Sequence, residues 1–174
     1  MPKTSTKPDS MPLDAPLRRR LPILLRRAWY GLNQAFRRRI SHTGVTPDQF
    51  TVMRTLIEGD QKGMAQSELT RGMASDPNTV ASLLERMEAA GWVERHAHER
   101  DARAYRIRLK AVGKQKYEEV RGIALALQAE ILTALPEGTR ESFLTELAAV
   151  ADACSTAAVE SPRRGRGEKS GVEG

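Results

Sequence analysis

The sequence predicts a mainly α (α+β) fold in which a short antiparallel hairpin follows a series of helices. The first observation is a helix at residues 77–90, which Asp76 caps and Gly91 ends. The second is a pair of strand-like runs, 92–97 and 104–109, that a charged link joins. A helix with a small polar face followed by a hairpin with a basic tip is the sequence form of a winged helix-turn-helix. Here we expect flanking helices that form a dimerisation bundle.

Proline and glycine divide the rest of the chain into helices and tails. Residues 1–16 are rich in Pro, Ser and Thr, and residues 160–174 in Gly, Arg, Ser and Glu, so we expect a disordered tail at each end. An apolar stripe predicts a first helix over 17–41, whose regular part begins near Pro22. The stripe consists of Leu21, Leu24, Leu25, Ala28, Leu32, Phe36 and Ile40. A second helix, with a threonine cap, is predicted at 47–58.

Three further helices complete the predicted set. A short one spans 66–74, and its Gly72 makes it depend on its neighbours for stability. A long helix at 111–135 and a last one at 137–154 are separated by a proline, which cannot continue a helix.

The apolar stripes of the terminal helices are wider than a small winged helix can cover. We therefore assign residues 46–110 to a winged-helix DNA-binding region. Residues 17–45 and 111–156 form a helical dimerisation region whose stripes are covered partly within the chain and partly across a twofold axis. A monomeric helical bundle is the alternative.

The composition favours a polyanionic partner. The 174 residues carry 28 Lys and Arg against 22 Asp and Glu, a formal net charge of +6. Eight arginines and no acid lie between Arg18 and Arg39, whereas residues 137–152 are net acidic. The single cysteine, Cys154, excludes an intrachain disulfide and fits a reducing cytoplasm. No apolar run approaches the roughly 18 residues that span a bilayer, so we expect a soluble, cytoplasmic protein.

Five short motifs lie in order through the middle of the chain. They are Ser67-Glu68-Leu69, Asn78-Thr79-Val80, Leu84-Glu85-Arg86-Met87-Glu88, Gly91-Trp92-Val93-Glu94-Arg95 and Asp101-Ala102-Arg103-Ala104-Tyr105-Arg106-Ile107-Arg108-Leu109. Together they resemble the MarR (multiple antibiotic resistance regulator) family over about residues 20–154. The resemblance implies homodimeric bacterial transcription regulators whose terminal helices form the dimer interface and whose subunits each place one winged unit on DNA. Many such regulators respond to small phenolic or lipophilic ligands.

The chain departs from this family pattern in three places. Ala65 stands where the third helix usually has a Thr or Ser cap, and Lys110 stands where the long helix usually has one. The change at position 65 touches no expected DNA contact. No cysteine lies near the first helix, which puts oxidant sensing in doubt.

The helix at 77–90 divides into two faces. Its apolar residues, which we expect to be buried, are Val80, Leu83, Leu84 and Met87. The residues left outward, which we expect to contact DNA, are Pro77, Asn78, Thr79, Ala81, Ser82 and Arg86. Small residues let the backbone approach the floor of the major groove, where Asn pairs with adenine and Ala or Thr contacts a thymine methyl. Without the hairpin, a solvated helix face would be the default interpretation.

At the wing, Arg100, Arg103, Arg106 and Arg108 form a basic ribbon. The resemblance places Arg103 in the minor groove, where A·T-rich tracts concentrate negative potential. Asp101 is then a partner that orients the Arg103 guanidinium by a bidentate pair. We expect Arg95 and Lys110 to contact phosphates, which set affinity without reading sequence. An ordinary hairpin turn with solvated charges is the alternative.

Four residues lie near the place where the resemblance implies a ligand pocket, between the dimer helices and the winged lobe. They are Trp29, Tyr30, Phe36 and His42. We expect any effector there to be a small aromatic or lipophilic molecule, although aromatic residues at helical spacing are more often part of a core. No cofactor is required.

We therefore expect a homodimeric, sequence-specific DNA-binding transcription regulator, a ligand-responsive repressor, on a pseudo-palindromic operator. We do not expect an enzyme, because the sequence lacks a convergent nucleophile, base or metal set, and His96 and His98 lack a clear third metal ligand. The alternative function is a winged-helix protein-interaction module without DNA binding, which would lack steep salt dependence with nucleic acid.

Overall fold

The structure is a computed structural model that describes residues 12, 15–16, 20–98 and 101–160. It divides into two compact units, residues 1–128 and 129–174. The helices are α1 (Leu21–Ile40), α2 (Pro47–Glu58), α3 (Gln66–Gly72), α4 (Pro77–Ala89), α5 (Ala111–Leu132) and α6 (Arg140–Glu160), and the strands are β1 (Met64–Ala65), β2 (Val93–His98) and β3 (Asp101–Leu109). Short 3₁₀ turns occupy Ser41–Thr43 and Glu137–Thr139. The predicted mainly α winged-helix fold is confirmed.

The predicted tails fall almost wholly outside the described residues. Only Pro12, Ala15 and Pro16 of the first tail are described, and residues 161–174 of the second tail are not. Glu160, which we expected to begin the second tail, is the last residue of α6.

The first unit opens each of its middle helices with polar contacts at the helix start. At α2 the Thr46 Oγ1 accepts from the Gln49 N–H at 3.3 Å, and the Gln49 side chain accepts from the Thr46 N–H at 2.9 Å. At α3 the residue before the helix is Ala65, which has no side-chain acceptor. The Glu68 carboxylate nevertheless accepts from the Ala65 N–H at 2.7 Å. One of the two reciprocal hydrogen bonds is therefore present although the side-chain cap is missing.

The sheet contains three antiparallel strands in the order β1–β3–β2. Sequence reasoning missed β1, which pairs Met64 with Ile107 and Ala65 with Arg106. The expected link between the hairpin strands, 98–103, was too long: β3 begins at Asp101, opposite His98, with a register shift after Ala97. Backbone pairing therefore continues into the charged segment, because charged side chains do not prevent a strand at a solvated edge.

The core of the first unit joins the end of α1, helices α2 to α5 and the inner face of the sheet. Phe50 connects its aromatic members: the Phe36 ring meets it edge-on at 5.3 Å, and the Tyr117 ring stacks on it at 5.4 Å. Buried Thr43 donates its hydroxyl to the Ile40 carbonyl at 2.7 Å, and its own carbonyl accepts from Lys116 Nζ at 3.0 Å. These contacts attach the 3₁₀ turn to α5.

The predicted apolar stripe of α1 is covered only at its carboxyl end. Ile40 is fully buried and Phe36 is half-buried, whereas Leu21, Leu24 and Leu32 are 46–50% exposed. The first unit therefore leaves leucines at helical spacing exposed along one face of α1.

The second unit contains the end of α5, the turn at Pro136 and α6. The long helix ends at Leu132, three residues earlier than expected, and α6 extends six residues further than expected. Cys154, the single cysteine, is exposed. Among the described residues, the helical segment Glu137–Glu160 is long and apolar enough to cross a membrane by length and composition, which corrects the expectation that no such run exists. One such helix is weak evidence for a span, since core helices of soluble proteins pass the same test.

Two glycines of α5 provide a matched test of the packing between this helix and the wing. A Cβ on Gly113 would collide with the Trp92 carbonyl oxygen and lie 2.7 Å from Leu109 Cδ2, whereas a Cβ on Gly122 would meet nothing within 4 Å. We expect Gly113→Ala to destabilise the fold by about 1–3 kcal/mol through overpacking. Gly122→Ala should stabilise it by up to about 1 kcal/mol through helix propensity. Urea unfolding followed by circular dichroism measures both, and equal effects of the two substitutions would contradict this packing.

Candidate nucleic-acid interface

The two faces predicted for α4 are present in the structure. Its inward residues are all at most 3% exposed: Val80, Leu83, Leu84 and Met87. On the outward face Pro77, Asn78, Thr79, Ser82 and Arg86 are exposed and Ala81 is half-buried. Burial of the apolar stripe therefore fixes which small and polar side chains the helix presents to solvent.

The amino end of α4 is held by its cap. Asp76 Oδ1 accepts from the Thr79 N–H at 2.9 Å. Hydrogen bonds from the Thr79 side chain and then from its backbone lower the pKa of the Asp76 carboxyl from its ordinary value. The Gln66 side-chain amide of α3 donates to the Pro77 carbonyl at 3.4 Å, so α3 also contacts the first turn of α4.

The hairpin follows α4 through a tight turn at Gly91, whose φ of 72° is left-handed. In that turn the Gly91 N–H donates to the Glu88 carbonyl and the Trp92 N–H to the Met87 carbonyl, both at 2.9 Å. Lys110, at the far end of the hairpin, is exposed, and its N–H donates to the Trp92 carbonyl. The base of the wing is thus fixed to the end of α4 by backbone contacts.

The structure places the predicted tip residues only by their backbone. Asp101 and Arg103 lie in β3, and Arg100 lies outside the described residues. The roles expected for these three side chains remain predictions.

Two of the four arginines in the predicted basic ribbon, Arg106 and Arg108, are half-buried and donate hydrogen bonds to the protein. Arg106 Nη1 donates to Asp60 Oδ2 at 2.9 Å and to the Gly63 carbonyl at 2.8 Å. Arg108 Nε donates to the Lys62 carbonyl at 2.6 Å. A hydrogen bond from the Lys62 N–H and then the one from Arg106 hold the pKa of Asp60 below its ordinary value. These arginines attach β3 to the loop after α2, so the ribbon is less available to DNA than the sequence suggested.

Two acidic residues near the wing were not singled out from the sequence. Glu88 Oε2 lies 3.1 Å from Arg95 Nε. Glu94 Oε1 lies 2.6 Å from His96 Nε2, and this hydrogen bond lowers the pKa of Glu94 from its ordinary value. Alternation along a strand could have indicated the second pair, since residues 94 and 96 share a face. The expected phosphate contact Arg95 therefore has an acidic partner within the protein.

The residues of the predicted ligand pocket are brought together only in part. Phe36 packs on Phe50 in the core, His42 is exposed, and Trp29 and Tyr30 are 65% and 61% exposed on α1. A separate cleft of about 520 Å³ involves none of them. It is lined by Leu56, Ile57, Asp60, Gln61, Gly63, Ile107, Arg108, Leu109, Lys114 and Glu118. Within the described part of the chain, no group of three or more His, Cys, Asp or Glu side chains could hold a metal ion.

Helix α4 has a small polar outer face, a glycine turn joins it to the hairpin, and the short helix α3 precedes it. This arrangement defines a winged helix-turn-helix protein. Residues 43–104 match the sequence model of the MarR family. This segment runs from the end of the first 3₁₀ turn into β3, so the winged unit of the chain is similar to those of the MarR family.

Known proteins of the same fold include regulators and DNA complexes. The chain is similar to the HTH-type transcriptional regulator BilQ of Clostridium symbiosum, with 26% identity over 89 residues, 51% of this chain and 62% of that protein. It thus spans about three fifths of the length of this curated relative. It is also similar to M. tuberculosis MOSR solved in complex with DNA, at 27% identity and a TM-score of 0.61, covering 76% of this chain and 96% of that one. The S. aureus MepR–DNA complex has the same fold at 20% identity and a TM-score of 0.69, covering 76% and 96%.

The cap of α4 yields a prediction with a pH dependence. Asp76→Ala removes the acceptor for Thr79 and should lower the urea midpoint of unfolding at pH 7, whereas Asp76→Asn keeps a good cap and should preserve it. Because the pKa of Asp76 is lowered in the folded state, its stabilising effect is present above the unfolded value of about 3.9 and is lost as pH falls through the folded pKa. The Asn variant should therefore lose less stability in acid than wild type. Equal midpoints for wild type and Asp76→Ala at pH 7 would contradict the assignment.

Proposed function

We propose that this protein is a homodimeric, sequence-specific DNA-binding transcription regulator of the repressor type, responsive to a ligand. It would bind a pseudo-palindromic operator whose half-sites lie about one helical turn, roughly 34–36 Å, apart. The observation that carries this proposal is the exposed small polar face of α4 beside a wing on the same scaffold.

The outward face of α4 has the chemistry of major-groove readout. Asn78 can pair with an adenine edge, and Thr79 and Ala81 can contact thymine methyls. The side chains are short, so the helix backbone can approach the groove floor closely. Arg86, whose Nε donates to the Ser82 carbonyl at 3.2 Å, would contact a phosphate or a guanine from one turn further along the helix.

The wing would contact the minor groove through Arg103, with Asp101 orienting its guanidinium and Arg100 adding positive charge. Lys110 is exposed at the base of the hairpin and would contact a phosphate. The likeness to M. tuberculosis MOSR, which was solved in complex with DNA, supports DNA binding by the winged unit.

The dimer would be built by the helices at the two ends of the chain. The exposed leucines of α1 in the first unit would contribute apolar surface to a twofold interface, and so would Phe143 and Leu147 of α6 in the second unit, which are 40% and 37% exposed. Burial of α6 in such an interface accounts for its apolar composition without a membrane, and the protein would act in the cytoplasm.

A small aromatic or lipophilic effector would bind among the residues predicted for a ligand pocket. Binding there would change the distance between the two α4 helices of the dimer and so release DNA. The exposed Trp29 and Tyr30 support this location, since a dimer partner would complete a pocket around them.

The wing is tested by Arg103→Ala with Arg121→Ala as the matched control. Arg121 carries the same charge on α5, where it pairs with Glu118 at 3.6 Å. In a gel shift on the protein's own upstream region, we expect Arg103→Ala to lose about tenfold or more in affinity and the control to stay near wild type. Wild-type affinity should also fall steeply with salt. Failure of wild type to bind any genomic fragment at low salt would refute the function and favour a protein-interaction module.

The dimer is tested by the solution mass. Light scattering should give twice the chain mass of 19.3 kDa. Leu24→Glu and Leu32→Glu together should shift the protein toward the monomer, because each places a charge in the proposed interface. The control is Ile57→Glu, at a residue that is 39% exposed on α2, and it should leave the mass unchanged. A monomeric wild type would support a single-chain bundle instead.

A further inference from the structure

Arg95 occupies an unusual place for a residue expected to contact DNA. It pairs in register with Ile107, and side chains opposite each other in an antiparallel pair share a face of the sheet. Ile107 and Val93, two residues away on β2, are both 2% exposed. Arg95 therefore projects from the face of the wing that covers the helices, whereas Glu94 and His96 project from the opposite face.

On that face Arg95 contacts the end of α4. Its Nε lies 3.1 Å from Glu88 Oε2, and the two side chains are 35% and 42% exposed. Glu88 lies one residue before the end of the helix, and its backbone carbonyl accepts the Gly91 N–H that closes the turn. The ion pair thus links α4 to β2 through side chains, and the glycine turn links the same two elements through the backbone.

The connection between α4 and β2 determines the angle between the helix and the wing. At this turn the backbone supplies two hydrogen bonds, and its glycine is the residue with the widest choice of conformation. The ion pair between the side chains of Glu88 and Arg95, which lie seven positions apart in sequence, would limit rotation about this turn. On the other edge of the wing, the contacts of Arg106 and Arg108 with the Asp60–Gly63 loop limit the same motion.

We propose that Arg95 is a positioning residue, which acts through Glu88 to hold the wing at the angle to α4 that lets both reach DNA together. This inference rests on the proposed function and assigns Arg95 a different role from the phosphate contact that the sequence suggests. A phosphate contact would require Arg95 to leave Glu88, and Glu88 would then weaken binding by repelling the DNA backbone. The two roles therefore predict opposite effects of removing Glu88.

A charge exchange distinguishes the two roles. Full-length wild type, Glu88→Arg, Arg95→Glu and the double exchange are compared on the same operator fragment at fixed salt, with urea midpoints to confirm that each is folded. For a positioning pair, each single substitution should lose about tenfold in affinity and the double exchange should recover to within about threefold of wild type. Glu85→Arg, which adds the same charge to an exposed position on α4, should not lose affinity.

The opposite pattern would overturn the proposal. If Glu88→Arg binds more tightly than wild type and the double exchange stays as weak as Arg95→Glu, then Arg95 contacts phosphate. A second readout is Arg95→Gln, which should leave the slope of log affinity against log salt unchanged. A decrease of about 0.9 in that slope would be the loss of one phosphate contact. Failure of wild type to bind DNA would refute the proposed function itself, whereas binding without rescue by the exchange refutes only this inference.

Discussion

Burial of one face of α4 is the constraint on which the rest of the structure depends. Its four apolar side chains are almost fully enclosed by α2, α3 and the inner face of the sheet. A buried face of this size fixes the rotation of the helix about its own axis, since turning it would expose the apolar stripe to water. The rotation in turn decides that Asn78, Thr79 and Ser82 point away from the protein. The chemistry of the face proposed to recognise DNA is therefore a consequence of core packing.

Three arginines of the wing contact other parts of the protein. Arg106 and Arg108 donate to the loop after α2, and Arg95 pairs with Glu88. Each exposed pair contributes little stability, but together they fix the wing at both edges relative to the helices. A wing that is held in place before DNA arrives loses less conformational entropy on binding. A count of the arginines in the hairpin sequence therefore overstates how many of them can contact DNA.

Sequence reasoning was most successful where a repeating pattern spans a whole element. The stripe of α4 and the caps Thr46 and Asp76 predicted the middle helices almost to the residue. The two-residue strand β1 has no pattern of its own and exists because β3 offers it a partner. The contact of Arg106 with Asp60 joins residues 46 positions apart, which no local rule predicts. The stripe of α1 also did not indicate which of its members the first unit would bury, because helical spacing is the same for Ile40, which is buried, and for Leu24, which is not.

The central claim is that α4 reads the major groove while the wing reaches the adjacent minor groove, in two copies related by symmetry. Footprinting of the full-length protein on its operator, with dimethyl sulfate for guanine N7 in the major groove and hydroxyl radicals for the minor groove, tests this most directly. We predict protected segments arranged symmetrically about a centre, with major-groove protection repeated at about one helical turn and minor-groove protection outside each half-site. Uniform protection along the whole DNA fragment that depends only on the salt concentration would contradict the claim, and so would a single footprint without a centre of symmetry.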